Sequence, residues 1–285
     1  MDDSAIMVTG ATGQQGGAVI RHLRERGLPV RAMVRDESGS AVARLEALGC
    51  EVVVGDLDRP ASLPDALDGV RAAFLVMALS TADAEITRGR HFVQAAKVAG
   101  LEYLVYSAAL DVQDQTGVEH FDSKYQLMRE LSESGLHHTV LGPGGFMENL
   151  LYPQAWRGLA KGNLTTPFRI DVPQALVAVD DIGRFAALCL QAPPAQTGQF
   201  IPLYSECLSS IEQAEAISRW LGRPVKAKRL PWIFTRLFLG RQLTGMFDYF
   251  NGRQAPDLPS NRQFMEALGV PTRLSDWLAK QDKPT

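Results

Sequence analysis

Through the first half of the chain, short apolar runs alternate with stretches in which apolar positions recur every three or four residues. The runs Ile6–Thr9, Val30–Val34, Glu51–Val54, Ala72–Met77, Tyr103–Ser107 and His138–Leu141 read as strands. The intervening stretches Gln14–Arg26, Gly39–Leu48, Pro60–Leu67, Ala84–Ala99 and Glu119–Ser134 read as helices. Gly27, Gly49, Gly69, Gly100 and Gly135 follow the helical patterns, where a left-handed residue ends a helix. Strands that are apolar throughout, rather than alternating, belong in a parallel sheet covered on both faces. Repeated strand–helix units with right-handed crossovers then give an α/β fold with a doubly wound parallel sheet.

After Leu141 the rhythm breaks. Gly142-Pro-Gly-Gly145 opens an irregular region carrying Pro153, Pro167 and Pro173. A strand-like Ala175–Val179 then leads into a helix ending at Gln191. Phe200–Leu203, a helix Ser209–Leu221, a strand around Val225 and a short helix near Arg273–Lys280 follow. The segment Pro231–Phe250 is helical in pattern, and its stripe of Trp232, Phe234, Phe238, Met246, Phe247, Tyr249 and Phe250 reads as core or as a partner face. This order predicts a main domain over residues 1–150, rejoined by segments near 175–205, and a small interleaved α/β lobe over 151–285.

Composition narrows the function without naming it. The 285 residues are 46% hydrophobic and 21% charged, with a net charge of −3, as in ordinary globular proteins. No basic run interleaves with aromatics, so direct nucleic-acid binding has no electrostatic footprint. The longest apolar run, Ala72–Leu79, is too short to span a membrane, and the acidic start Met1-Asp2-Asp3 does not resemble a signal peptide, so a cytoplasmic protein is expected. Cys50, Cys189 and Cys207 are scattered, which predicts reduced, buried thiols and no metal site.

The chemistry concentrates near the beginning. Gly10, Thr12, Gly13, Gln14, Gln15 and Gly16 lie in a glycine loop between the first strand and the first helix. In a dinucleotide site the first glycine allows a tight turn, the second lets the backbone approach the pyrophosphate, and the third lets helix and strand pack closely. Amides at the helix start receive the anion. The residue after the second strand reads the ribose 2′ position. There Arg35 offers a guanidinium fork that suits a phosphate, so NADP(H) is expected, with NAD(H) as the weaker alternative.

The loop Gly10-Ala-Thr-Gly-Gln-Gln-Gly-Gly17 closely resembles that of NmrA-like proteins, a branch of the atypical short-chain dehydrogenases. Val54-Gly-Asp-Leu-Asp58, Ala99-Gly-Leu-Glu-Tyr-Leu-Val-Tyr-Ser107, His120-Phe-Asp-Ser-Lys124 and Gly144-Gly-Phe-Met-Glu-Asn149 extend the resemblance over nearly the whole chain. It implies a Rossmann domain that binds NADP(H) or NAD(H). It also implies either a reductase of a quinone or small carbonyl compound, or a redox sensor acting through a regulatory protein partner. In related folds Asp56 and Leu57 would meet the adenine edge, Asp56 alternatively capping the following helix. Met77 and Ala78, ending the fourth strand, would pass the cofactor ribose. Pro143 and Phe146 would lie against the nicotinamide, Phe146 joining Met147 in an apolar wall.

Short-chain dehydrogenases carry Tyr-x-x-x-Lys on the helix after strand five, where Lys holds the nicotinamide ribose and Tyr moves a proton. Here Lys124 matches the Lys, and His120 stands where the Tyr would be. An i, i+4 pair shares one helix face, so His120 and Lys124 are candidate catalytic residues, the alternative for Lys124 being the solvent face. An ammonium nearby would hold His120 mostly neutral. Tyr125 points about 100° away around the helix and is a poor substitute. Ser107, ending the fifth strand, is the third candidate, near the reacting group or as a strand-end cap.

Overall fold

The computed structural model describes residues 4–112, 116–231, 244–252, 261, 264, 266, 269 and 271–284. Strands β1 (Ala5–Val8), β2 (Val30–Val34), β3 (Glu51–Val54), β4 (Val70–Leu75), β5 (Tyr103–Ser107) and β6 (His138–Pro143) alternate with helices α1 (Gln14–Glu25), α2 (Ser40–Ala47), α3 (Leu63–Leu67), α4 (Ala82–Val98) and α5 (Glu119–Glu133). There follow β7 (Gly145–Phe146), α6 (Pro153–Ala160), β8 (Asn163–Thr166), β9 (Gln174–Val177), α7 (Val179–Gln191), β10 (Gln199–Leu203), β11 (Glu206–Leu208), α8 (Ser210–Leu221) and β12 (Lys226–Arg229). A final described helix spans Leu274–Ala279.

The main sheet has the order β10-β6-β5-β4-β1-β2-β3, the doubly wound Rossmann arrangement whose strand order reverses between β1 and β4. Neighbours from β3 to β6 pair in parallel. Every residue of β5 and β6 is buried, as strands covered on both faces require. On one face Met7, Leu75, Leu104 and Tyr106 pack against Leu63, Phe92, Leu127 and Leu131 from α3, α4 and α5. On the other α1 and α7 lie so close that a Cβ on Gly183 would stand 2.6 Å from that of Ala18. Gly27, Gly49, Gly69, Gly100 and Gly135 all have φ between 67° and 81°, the left-handed conformation that stops a helix.

Strand β4 departs from the expected Ala72–Met77. It starts at Val70, which pairs with Ala5, and ends at Leu75. The reason lies in Thr9. Its hydroxyl accepts from Val76 N and donates to Val76 O, both at 2.9 Å, so a side chain takes the bonds that a neighbouring strand would otherwise supply. Met77 and Ala78 therefore sit in the loop beyond the strand.

By internal packing the chain forms two units. The first contains residues 1–115, 121–142 and 179–201; the second contains 116–120, 143–178 and 202–285. In the second, β11-β9-β7 and β12-β8 form two small sheets. Its core gathers Met147, Leu159, Leu164, Ile217, Trp277 and Leu278. Helix α8 starts with a reciprocal capping box between Ser209 and Glu212 and stops at left-handed Gly222. Trp232, Phe234 and Phe238 of the aromatic stripe lie outside the described residues. Phe247 and Phe250, in the helical stretch 244–252, pack edge-on against Phe168 at 5.1 and 5.8 Å, and all three rings are half-buried. No described helix is long and apolar enough to cross a membrane.

Candidate functional site

The glycine loop is shaped by contacts that leave its outer side open. Gly10 has φ 56°, and a Cβ there would meet Val76 Cγ1 at 2.8 Å. A Cβ on Gly16 would stand 2.3 Å from Gly10 O and 3.0 Å from Thr9 O, so the helix rests directly on the strand end. Gly13 is different: it is exposed, and its Cβ would approach only Gly10 O, at 3.2 Å. Thr12 and Gln14 are also exposed. Gly13 is the N-cap of α1, no side chain caps the helix, and its first turn holds no acidic residue. Gly13 N donates to Gly10 O at 2.8 Å, whereas the amides of Gln14 and Gln15 have no partner among the described residues; together with the positive dipole end they fit the pyrophosphate of a dinucleotide. Gln15 is half-buried, and its Oε1 accepts a 2.7 Å bond from the Ser107 hydroxyl at the end of β5. The loop and Ser107 are therefore brought together.

Around the ends of β2 and β3 the structure gathers charges. Arg35 is exposed and makes no hydrogen bond or ion pair with the described residues. Asp56 closes its own turn: Oδ1 accepts from Asp58 N and Oδ2 from Arg59 Nε, while its amide donates to Ser62 Oγ. Capping of the following helix is not its role, since Arg59 occupies that position. Leu57 packs into the core beneath α4, and its carbonyl oxygen lies 2.7 Å from His91 Nδ1. Asp58 forms a two-pronged ion pair with Arg88 of α4, 2.8 Å on each side. That pairing holds the Asp58 carboxyl below its usual range, with further help from the charges of Arg35 and His91. A cation free for a 2′-phosphate thus stands beside a carboxylate already balanced by Arg88. Neither Asp58 nor Arg88 was singled out by the pattern; on a helix an Arg at this spacing looks like solvent face.

Lys124 is not on the solvent face. Its side chain is 9% exposed, and its ammonium pairs with Glu85, itself 1% exposed in the first turn of α4. The neighbouring Ser123 hydroxyl donates to the other Glu85 oxygen at 2.8 Å. The ammonium is therefore balanced by its own ion pair. His120, half-buried, opens α5 four residues before Lys124. Glu85 carries no sequence signal of its own, because an acid in a first helical turn ordinarily just complements the dipole. Pro143 is buried at the end of β6, and Phe146 is half-buried in β7, paired with Val177. Met147 is 1% exposed in the core of the second unit, so it cannot wall a ligand as expected. Cys50 and Cys189 are buried free thiols, and Cys207 is half-buried rather than buried. Among the described residues no group of His, Cys, Asp and Glu is placed to hold a metal ion.

Compared with known proteins, residues 2–278 match the NmrA-like family. An NAD(P)H azoreductase of Xenophilus azovorans is 35% identical over 226 residues, covering 78% of this chain and 75% of that protein. Quinone oxidoreductase 2 of Escherichia coli is 32% identical over 147 residues, covering 51% and 50%. The triphenylmethane reductase of Citrobacter sp., solved with NADP(H), superposes with a TM-score of 0.83 over 97% of this chain and 99% of that one; at 20% identity the likeness is one of fold. The family match from residue 2 to 278, with the azoreductase alignment over most of both chains, shows that the chain belongs to the NmrA-like family.

Proposed function

We propose that the chain is an NAD(P)H-dependent oxidoreductase, favouring NADPH, that reduces a quinone or another small conjugated acceptor. The observation that carries this is the uncapped, outward-facing start of α1 behind the Gly10–Gly16 loop, with exposed Arg35 at the end of the next strand. The relatives' names, an azoreductase and a quinone oxidoreductase, support the same class of acceptor.

In this reading the amides of Gln14 and Gln15 hold the pyrophosphate and Arg35 holds the 2′-phosphate. Asp56 and Leu57 meet the adenine edge, and Met77 and Ala78 border the ribose. Lys124 donates to the nicotinamide ribose hydroxyls. Bound NADPH supplies a hydride. Ser107, its one hydroxyl proton given to Gln15, stands near the reacting group with its oxygen free to accept a hydrogen bond, and His120 would supply a proton. Titrating NADPH and NADH, then following NADPH oxidation with a panel of quinones and azo dyes, tests the reading. Tight NADPH binding with oxidation of a quinone or azo dye is expected. Failure to bind either cofactor would overturn it.

His120 in place of a Tyr favours a second reading: a catalytically weak NADP(H) sensor that acts through a protein partner. Tight NADPH binding with no oxidation across the panel would select it.

A further inference from the structure

We propose that Glu85 is a positioning residue that holds Lys124 for the ribose diol and cancels its charge. The proposal rests on Lys124 serving the nicotinamide ribose. Both residues belong to the first packing unit. Glu85 lies in the first turn of α4 and Lys124 in the second turn of α5, the helices that follow β4 and β5. The pair therefore stands near the carboxyl end of the sheet, where doubly wound folds bind their ligands. Both Glu85 oxygens are taken by α5: one by the Lys124 ammonium, the other by the Ser123 hydroxyl. Burial, and then the Glu85 charge, push the Tyr106 hydroxyl of β5 up, and the Glu85 charge adds to the larger effect of Asp58 in raising Arg88, one turn further along α4.

This arrangement has two chemical consequences. First, Lys124 has lost its rotamer freedom before any ligand arrives, so binding need not order a long flexible chain. Second, the pair is neutral overall. An ammonium has three donors; Glu85 takes one and leaves two for a ligand. Two N–H donors without net charge match a pair of neutral hydroxyls and do not favour a phosphate. Stability alone does not explain the pair, because a buried ion pair commonly does no better than apolar side chains of the same volume.

The test compares two ligands. NADPH contains the nicotinamide ribose, whereas adenosine 2′,5′-bisphosphate ends before it. Glu85→Gln and Lys124→Met should each weaken NADPH by about tenfold, the loss of roughly one hydrogen bond, and leave the bisphosphate unchanged. The double variant should bind NADPH no more weakly than the worse single variant, since both act through one contact. If Glu85→Gln does not fold, the double variant, which leaves no buried charge unpaired, carries the same comparison. A folded variant that binds NADPH like wild type, or that weakens both ligands equally, would overturn the proposal. Wild type binding neither ligand would overturn the cofactor reading beneath it, and that outcome is distinct because it precedes any substitution.

Discussion

Gly13 and Gly16 stand three residues apart and answer to different forces. Gly16 has no room for a Cβ because Gly10 O would lie 2.3 Å away, so Gly16→Ala must part helix from strand. Overpacking of this kind costs about 1–3 kcal/mol, and thermal unfolding should show a lower midpoint even without cofactor. Gly13 is exposed and a Cβ there would meet only Gly10 O, at 3.2 Å, so Gly13→Val should lose less stability than Gly16→Ala but lose NADPH binding, because a branched side chain fills the pyrophosphate space. Equal midpoints for both variants would contradict this division. Arg35→Ala should lower NADPH affinity ten- to a hundredfold, the loss of about 1.5–3 kcal/mol, and leave NADH unchanged in parallel titrations. Equal NADPH and NADH affinities in wild type would remove the basis for that expectation. These residues were legible because three glycines between a strand and a helix, with a cation ending the next strand, suit little besides a dinucleotide phosphate. Glu85 and Arg88 were not, since their partners, Lys124 and Asp58, are 39 and 30 residues away and only the fold joins them.

At the scale of elements, the alternation of strands and helices was legible because central parallel strands are apolar on both faces. The end of β4 was not. Val76 and Met77 are as apolar as Phe74, and only the Thr9 hydroxyl, 67 residues away, ends the strand before them. The contact of α1 with α7 was equally hidden, and it carries a pH dependence. Asp180 in the first turn of α7 meets His22 Nε2 and Arg21, each at 3.0 Å, and His22 Nδ1 meets Glu25 at 3.1 Å. The hydrogen bond with His22, then that from Arg21, holds the Asp180 carboxyl far below the usual carboxylate range. A depressed folded-state value stabilises above the unfolded value of about 3.9 and is lost as pH falls through it toward the folded value. Asp180 is 54% exposed, so solvent screening limits the contribution to about 1 kcal/mol or less. Asp180→Asn should therefore lower the unfolding midpoint slightly at about pH 6, and the gap to wild type should close toward about pH 2. A gap that keeps its size down to about pH 2 would mean that Asp180 acts by packing rather than by charge.

The whole molecule is threaded so that neither unit can be cut out in one piece. The first unit draws on three segments, and its last, 179–201, supplies α7 and most of β10 after the chain has built part of the second unit. Residues 1–150 alone would lack both. Ala18 would lose Gly183, and β6, whose six residues are all buried, would become an open sheet edge without β10. An apolar unpaired edge is a template for aggregation. The fragment 1–150 should therefore be insoluble, or soluble without a cooperative melting transition, despite containing every residue assigned to the glycine loop, the adenine side and Lys124. The full chain should instead melt cooperatively, and NADPH at about 100 times its dissociation constant should stabilise it by about 2.7 kcal/mol. Calorimetry on both proteins, with and without NADPH, decides the matter. A soluble 1–150 fragment that melts cooperatively and is stabilised by NADPH would show that α7 and β10 are dispensable, and that the interleaving of the chain contributes nothing to the binding fold.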